Sequence, residues 1–152
     1  AGAPIRPRRD HHGGGRLTGM ETTPQSTRTD HTIWSGLTAR DPIALRSWLV
    51  SLGFEEGILV EEEGLVIHSE MLWPEGGRVM ISGGRPEDPH FTTPVGGANL
   101  YVVTDEPDAV HARAEAAGAS FTRPMADADY GSRGFSISDP EGNSWSFGTY
   151  AG

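Results

Sequence analysis

The sequence predicts an α+β domain made of two tandem βαβββ modules, and three observations lead to that reading. Twice, a strand-like run is followed by an acidic cap, a proline and a helical stretch stopped by glycine. Three short β-like runs follow each of those helices. The halves match at a spacing of about 64 residues, Asp41 onto Asp105 and Gly53 onto Gly118, which marks a duplicated module and not a solenoid. One module cannot close a core by itself, so the two are expected to pack together.

Residues 1–30 are rich in Gly, Pro, Thr and Arg and carry only isolated apolar residues, so they are read as a disordered tail. Met20 is a candidate natural start, which would make residues 1–19 an upstream addition. The first module spans 31–82. Thr32–Ala39 reads as a strand. It ends at Asp41-Pro42, an N-cap with proline at the first helical position. Ile43, Leu45, Trp48, Leu49 and Leu52 recur at helical spacing up to Gly53, which predicts a helix over 42–52. Strands follow at Ile58–Glu62, Leu65–Trp73 and Arg78–Ser82, divided by Glu63-Gly64 and by Pro74 to Gly77. Residues 83–96, punctuated by Pro and Gly, are the linker. In the second module, 97–150, Ala98–Val103 is a strand and Asp105-Glu106-Pro107 starts a helix through Ala117. Residues 120–123, 132–138 and 144–149 complete the strands.

Composition narrows the function. The chain has 152 residues, 12 Lys+Arg against 21 Asp+Glu, and a formal charge of -9. After residue 30 there remain 7 Arg and 18 acids, a net of -11. Such a surface repels nucleic-acid backbones and anionic lipid, so neither nucleic acid nor membrane is expected as a partner. With no cysteine, disulfides, thiolate metal sites and cysteine nucleophiles are excluded. No apolar run approaches the ~20 residues of a spanning helix, and a cytoplasmic protein is expected. All 12 basic residues are Arg, from which no function follows. Gly83-Gly84 and Gly96-Gly97 lack the Lys-Ser/Thr and helix start of a phosphate loop, and no serine sits in a nucleophile elbow.

Tyr130-Gly131-Ser132-Arg133 followed by Ser138-Asp139-Pro140-Glu141-Gly142-Asn143-Ser144-Trp145-Ser146-Phe147 resembles the terminal hairpin of the glyoxalase/bleomycin resistance protein/dioxygenase (vicinal oxygen chelate) superfamily. The His68-Ser69-Glu70-Met71 strand, Val79-Met80-Ile81 and the helix ending Leu52-Gly53-Phe54 are similar to its PhnB-like and bleomycin-resistance-like branch. The resemblance covers about residues 31–150. It implies that each module curls its sheet into half of a cleft, with helices on the outer face. It also implies a homodimer, with strands able to exchange between chains.

The resemblance places metal ligands near the start of each module's first strand and in the final strand. Counting seven back from Asp41 and Asp105 gives Trp34 and Ala98, and counting seven on from Asp139 gives Ser146. None of these suits a divalent ion, which needs anionic or imidazole ligands to displace its water. No cofactor is therefore expected, with a divalent metal as the alternative.

Ligand-binding candidates follow from parity and from the loops. Thr32, Trp34, Gly36 and Thr38 share the cleft face of the first strand, while Ile33, Ser35 and Leu37 meet the helices. His68 and Glu70, two apart on a strand, share a face and form a polar pair that could hold or protonate a ligand; the competing reading is a pair fixed by a cross-strand partner. Trp73, Phe91 and Tyr130 come from loops that rim the cleft, and Trp48, Trp145 and Phe147 are core. Arg133 pairs either with an anionic ligand or, more commonly, with a nearby acid. Of the other histidines, His11 and His12 lie in the tail, and His31, His90 and His111 are read as surface residues. The function expected is sequestration of a small aromatic or amphipathic molecule without metal. The alternative is a divalent-metal-dependent lyase or dioxygenase of the glyoxalase or extradiol type.

Overall fold

The first module runs β1 (Ser35–Thr38), α1 (Pro42–Leu52), β2 (Glu55–Glu62), β3 (Leu65–Leu72) and β4 (Arg78–Ser82). The second runs β5 (Asn99–Val103), α2 (Pro107–Ala116), β6 (Ser120–Asp127), β7 (Arg133–Ser138) and β8 (Ser144–Gly148). These elements come from a computed structural model that describes residues 24–84, 88 and 93–152. Each module forms a four-stranded sheet, in the orders β1-β4-β3-β2 and β5-β8-β7-β6, with β1 and β5 as edges. β1 pairs parallel to β4 and β5 parallel to β8, while the remaining pairs are antiparallel. The sheets do not close into a barrel. The tandem βαβββ order is the one the sequence predicts.

Local chemistry accounts for the helix ends. Asp41 accepts a hydrogen bond from the Ala44 N–H at 3.0 Å, Pro42 opens α1, and Gly53 at φ 112° turns the chain out. At α2 the sequence expectation is off by one residue. The N-cap is Glu106, not Asp105, and it makes no side-chain cap bond. Instead the Thr104 hydroxyl accepts from the Glu106 N–H at 3.0 Å, and the Asp105 N–H donates to Glu75 Oε1 of the other module at 2.8 Å.

β1 is shorter than expected because its partner among the described residues, β4, starts at Arg78 and pairs Ser35 with Val79. No described strand is left to pair with residues 32 and 33. Ile33, expected against the helices, is accordingly 95% exposed. β2 and β6 are longer than expected and irregular in register. At the β2 irregularity, the buried Arg46 of α1 donates to the carbonyls of Gly57, Ile58 and Glu70, so the broken ladder keeps hydrogen-bond partners.

Both modules share one core. Leu37, Leu45, Leu49, Leu52, Val79 and Ile81 pack from the first, and Leu100, Val110, Phe135, Ile137, Trp145 and Phe147 from the second. Phe54 and Trp73 join them: their rings lie 4.8 Å apart, with Phe54 5.6 Å from Trp145 and Trp73 5.8 Å from Phe147. Trp145 and Phe147 are core as expected, and Trp48 packs partly buried at its margin. Trp73 is not the cleft-rim residue expected. It is 5% exposed, and its indole N–H donates to the Val103 carbonyl at 3.1 Å. Parity explains this, since Trp73 continues the helix-facing series of Ser69 and Met71.

The turn before β8 is locked by Asp139. Its Oδ1 accepts from the N–H groups of Glu141 and Asn143, and its Oδ2 from Asn143 Nδ2 and Trp145 Nε1, all at 2.8–2.9 Å. Asn143 Oδ1 in turn accepts from the Ala98 N–H at 3.1 Å, which aligns β8 with the start of β5. Glu141 accepts from the N–H groups of Arg40 and Asp41, each at 2.9 Å, and so ties the two modules together.

Candidate functional site

Cross-strand register assigns the faces. Leu37, Val79, Ile81, Ser69 and Met71 are buried toward the helices, so Gly36, Met80 and Glu70, which lie abreast on β1, β4 and β3, look the other way. The matching row in the second module is Tyr101, Ser146 and Ser136 on β5, β8 and β7. These two helix-free faces carry the candidate sites.

On the first open face His68 Nε2 donates to Glu70 Oε1 at 2.9 Å, and Arg78 Nη1 donates to Glu70 Oε2 at 2.6 Å. His68 and Glu70 do pair, and the pair is fixed by a cross-strand partner, Arg78 of β4, which is the competing reading of the sequence. Burial pushes the Glu70 carboxyl up, but the hydrogen bonds from His68 and Arg78 and the Arg78 charge outweigh it and hold the pKa below its ordinary value. A hollow of about 170 Å³ lies beside His68, lined also by Gly36, Thr38, Met80 and Ser82.

Trp34 is on this face, as parity requires, and is half-buried. Its ring is already covered, since the Arg78 guanidinium sits 4.6 Å from the ring centroid. The end of the presumed tail is also here. The Ser26 N–H donates to the Glu56 carbonyl at 2.7 Å, Arg28 Nη2 donates to the Trp73 carbonyl at 2.6 Å, and Asp30 Oδ2 accepts from Arg78 Nε and Nη2 at 3.1 and 2.9 Å. Residues 26–30 thus form a strap on the first module and not free tail. Residues 1–23 lie outside the described residues, as do His11 and His12.

The second open face holds a hollow of about 330 Å³. Tyr101, Tyr130 and Tyr150 line it together with Arg123, Ser132 and Ser146. Tyr130 and Tyr150 meet edge to face with centroids 5.5 Å apart, the Tyr101 hydroxyl donates to the Tyr150 carbonyl at 2.8 Å, and Ser136 Oγ and Ser146 Oγ lie 2.7 Å apart. The Arg123 side chain has no hydrogen-bond or ion-pair partner among the described residues. The hollows of the two faces share no lining residue.

Of the residues singled out from sequence, Trp34, His68 and Glu70 gather on the first face and Tyr130 on the second. Trp73 belongs to the core, and Phe91 and His90 lie outside the described residues. Arg133 is held by Asp108 through two bonds of 3.0 and 2.8 Å and by Asp127 at 3.2 Å, which raises its pKa above the usual value, chiefly through the Asp108 hydrogen bonds. Its nearby-acid reading stands. His111 is not a plain surface residue, since its ring lies 4.7 Å from Phe121 and 5.0 Å from Phe135.

Tyr101, Tyr150, Arg123 and Arg78 were missed. Tyr101 was recoverable. Counting back from the true cap, Glu106, lands on Asn99, which shares a face with Tyr101, whereas counting from Asp105 lands on Ala98, outside the strand. Across the middle rows of the two faces, Met80, Tyr101, Ser136 and Ser146 are weak donors for a divalent ion, Gly36 offers none, and the carboxylate, Glu70, is taken up by His68 and Arg78. Among the described residues, no three His, Asp or Glu side chains are grouped so as to hold a metal.

Comparison with known proteins agrees with this architecture. Residues 37–147 match the Glyoxalase family, described as the Glyoxalase/Bleomycin resistance protein/Dioxygenase superfamily. The chain belongs to that superfamily. Among solved structures it is similar to TioX from Micromonospora sp. ML1, at 28% identity and a TM-score of 0.65, covering 78% of this chain and 98% of that one. A glyoxalase/bleomycin resistance protein from Streptomyces sp. CB03234 aligns at 18% identity and TM-score 0.61, over 75% and 96% of the two chains. Another from Catenulispora acidiphila DSM 44928 aligns at 23% and 0.55, over 77% and 96%. No curated protein sequence matches the chain. No helix among the described residues is long and apolar enough to cross a membrane.

Proposed function

We propose that this superfamily member is a binding protein of the bleomycin-resistance type that holds a small aromatic or amphipathic molecule without metal. The observation that carries the reading is the side-chain chemistry at the middle of the open faces. Gly36, Met80, Tyr101, Ser136 and Ser146 supply no carboxylate or imidazole, and Glu70, which lies abreast of Met80, is already engaged by His68 and Arg78. Tyr101, Tyr130 and Tyr150 line the second hollow with Arg123, whose guanidinium has no partner among the described residues. Rings of this kind stack on flat or cationic ligands at ~0.5–1.5 kcal/mol per good contact beyond area burial. On this proposal the lining hydroxyls and an arginine select polar groups at the ligand's edge.

Each face is, on the same proposal, half of a cleft, and the outer edges of β1 and β5 have no strand partner among the described residues. In this reading a second copy brings the complementary half-cleft, giving the homodimer that the resemblance implies. A cytoplasmic setting and sequestration as the biological role belong to the same proposal.

The test is a thermal-shift panel of aromatic and amphipathic compounds on protein freed of residues 1–19, with metal analysis of the same sample. The expected result is stabilisation by members of the panel with no stoichiometric Zn, Ni, Mn or Fe, unchanged by chelator. One ion per chain whose removal abolishes binding or turnover would establish the metal-dependent enzyme instead.

A further inference from the structure

The strap on the first module ends in a carboxylate clasped by an arginine, and its fit is incomplete. Arg78 and Asp30 are nearly enclosed, with side chains 7% and 9% exposed. Asp30 uses one oxygen, Oδ2, for both Arg78 Nε and Nη2, although that edge of a guanidinium can take two oxygens in a fork. Its other oxygen lies 3.5 Å from Arg28 Nε, in a geometry that leaves that N–H without a hydrogen-bond partner. Among the described residues, two buried side-chain polar atoms lack a hydrogen-bond partner: Arg28 Nε and Trp34 Nε1. Both belong to this junction, since Trp34 lies directly under Arg78. Buried donors are nearly always paired in a finished contact, so a junction that leaves two orphaned is less than fully satisfied.

The strap is held to the module by a small number of polar contacts. Apart from the Asp30 clasp, the Ser26 bond to Glu56 and the carbonyl that Arg28 offers to Arg78, its ties are Arg28 contacts with the Trp73, Pro74 and Gly77 carbonyls and with Glu55. Of these, the Pro74 bond is exposed and the Glu55 ion pair lies at 3.7 Å between partly exposed side chains, so both contribute little, while the Trp73 and Gly77 bonds are partly buried. Under the clasp lie an indole ring, a guanidinium and an unused indole N–H, the groups that recognise an aromatic carboxylate.

We propose that Arg78 and Trp34 form a binding site for an aromatic carboxylate, which the chain's own Asp30 fills in the free protein and which such a ligand enters by lifting residues 26–31. The inference rests on the reading of the open faces as ligand-holding surfaces. The exchange is like for like. An incoming carboxylate replaces the Asp30 carboxylate on the Nε/Nη2 edge of Arg78, and the Nη1 bond to Glu70 is left in place, so no charge is stranded. The ligand's ring meets the face that holds Trp34, and the Trp34 N–H gains an acceptor.

The test is calorimetric titration of the full chain with 2-naphthoate and its neutral counterpart 2-naphthamide, in wild type, Asp30→Ala and Asp30→Ala/Arg78→Met. Asp30→Ala should bind 2-naphthoate at least tenfold more tightly than wild type, show no such gain for 2-naphthamide, and lose the gain in the double variant. Asp30→Asn, which keeps the side-chain volume, should behave as Asp30→Ala does and covers the case in which the alanine variant melts poorly. If both folded single variants bind 2-naphthoate no better than wild type while 2-naphthamide still binds, the strap inference fails and the broader proposal survives. If neither probe binds any of the proteins, and the thermal-shift panel is also blank, both fail.

Discussion

Asp139→Asn should be among the most damaging single-atom exchanges in this protein. The carboxylate accepts four hydrogen bonds, two per oxygen, inside a turn where Asn143 and Trp145 are fully buried. An asparagine has one accepting oxygen. If that oxygen keeps the two backbone N–H groups, its own amide faces Asn143 Nδ2 and Trp145 Nε1, donor against donor. Flipping Asn143 does not rescue the contact, because its Oδ1 already accepts from the Ala98 N–H. Two buried donors are left without acceptors in either orientation. Each costs about 1–3 kcal/mol, so about 2–4 kcal/mol is expected for the pair after partial relaxation. For a domain of this size that corresponds to a fall in melting temperature of about 6–20 °C. The assay is thermal unfolding followed by near-ultraviolet circular dichroism, which also reports on Trp145. Asp41→Ala is the internal standard. It removes one exposed cap bond and should cost only about 1 kcal/mol. If Asp139→Asn is no more destabilising than Asp41→Ala, the reasoning that burial and donor crowding set the cost is refuted.

Three further predictions follow from the open faces. Trp34→Ala should weaken an aromatic ligand of the first face by ~1–3 kcal/mol while the protein keeps a cooperative melt, because Trp34 is not part of the shared core; unchanged affinity would move the site elsewhere. Acid should release the strap. The Asp30 and Glu70 carboxyls sit below their ordinary values of 3.8 and 4.5: burial raises both, but for Asp30 the Arg78 hydrogen bonds and the Arg28 charge prevail, and for Glu70 the His68 and Arg78 hydrogen bonds. Their contribution to stability is therefore complete at neutral pH and is lost as pH falls through the lowered values. An acid titration of wild type against Arg78→Met should show the wild type losing more stability below about pH 4.5, and parallel curves would contradict the clasp. Light scattering at micromolar concentration should give about twice the chain mass of 16.3 kDa, and a particle of one chain mass would remove the second half-cleft.

The α1 boundaries were legible residue for residue because its signals are local: the Asp41 side chain caps its own helix, Pro42 fits the first turn, and Gly53 adopts the left-handed stop. β4 was legible for the same reason, bounded by Gly77 and Gly83. The duplicated order, the core roles of Trp145 and Phe147 and the shared face of His68 and Glu70 also follow from spacing alone. What spacing could not supply is the identity of the neighbour. Whether Thr32 and Ile33 join a strand depends on where β4 begins, and whether Asp105 or Glu106 caps α2 depends on Glu75 of the other module. Trp73 looks like a loop aromatic until Phe54 and Phe147 close over it. The end of the low-complexity tail is ordered by Arg78, which lies 48 residues beyond Asp30. The sequence by itself determined the elements, their repetition and the faces of their side chains, because these depend on interactions a few residues long. The pairing of Asp30 with Arg78, the tyrosine-lined hollow and the poor donor set at the centres of the faces depend on long-range register, and only the tertiary structure decides that.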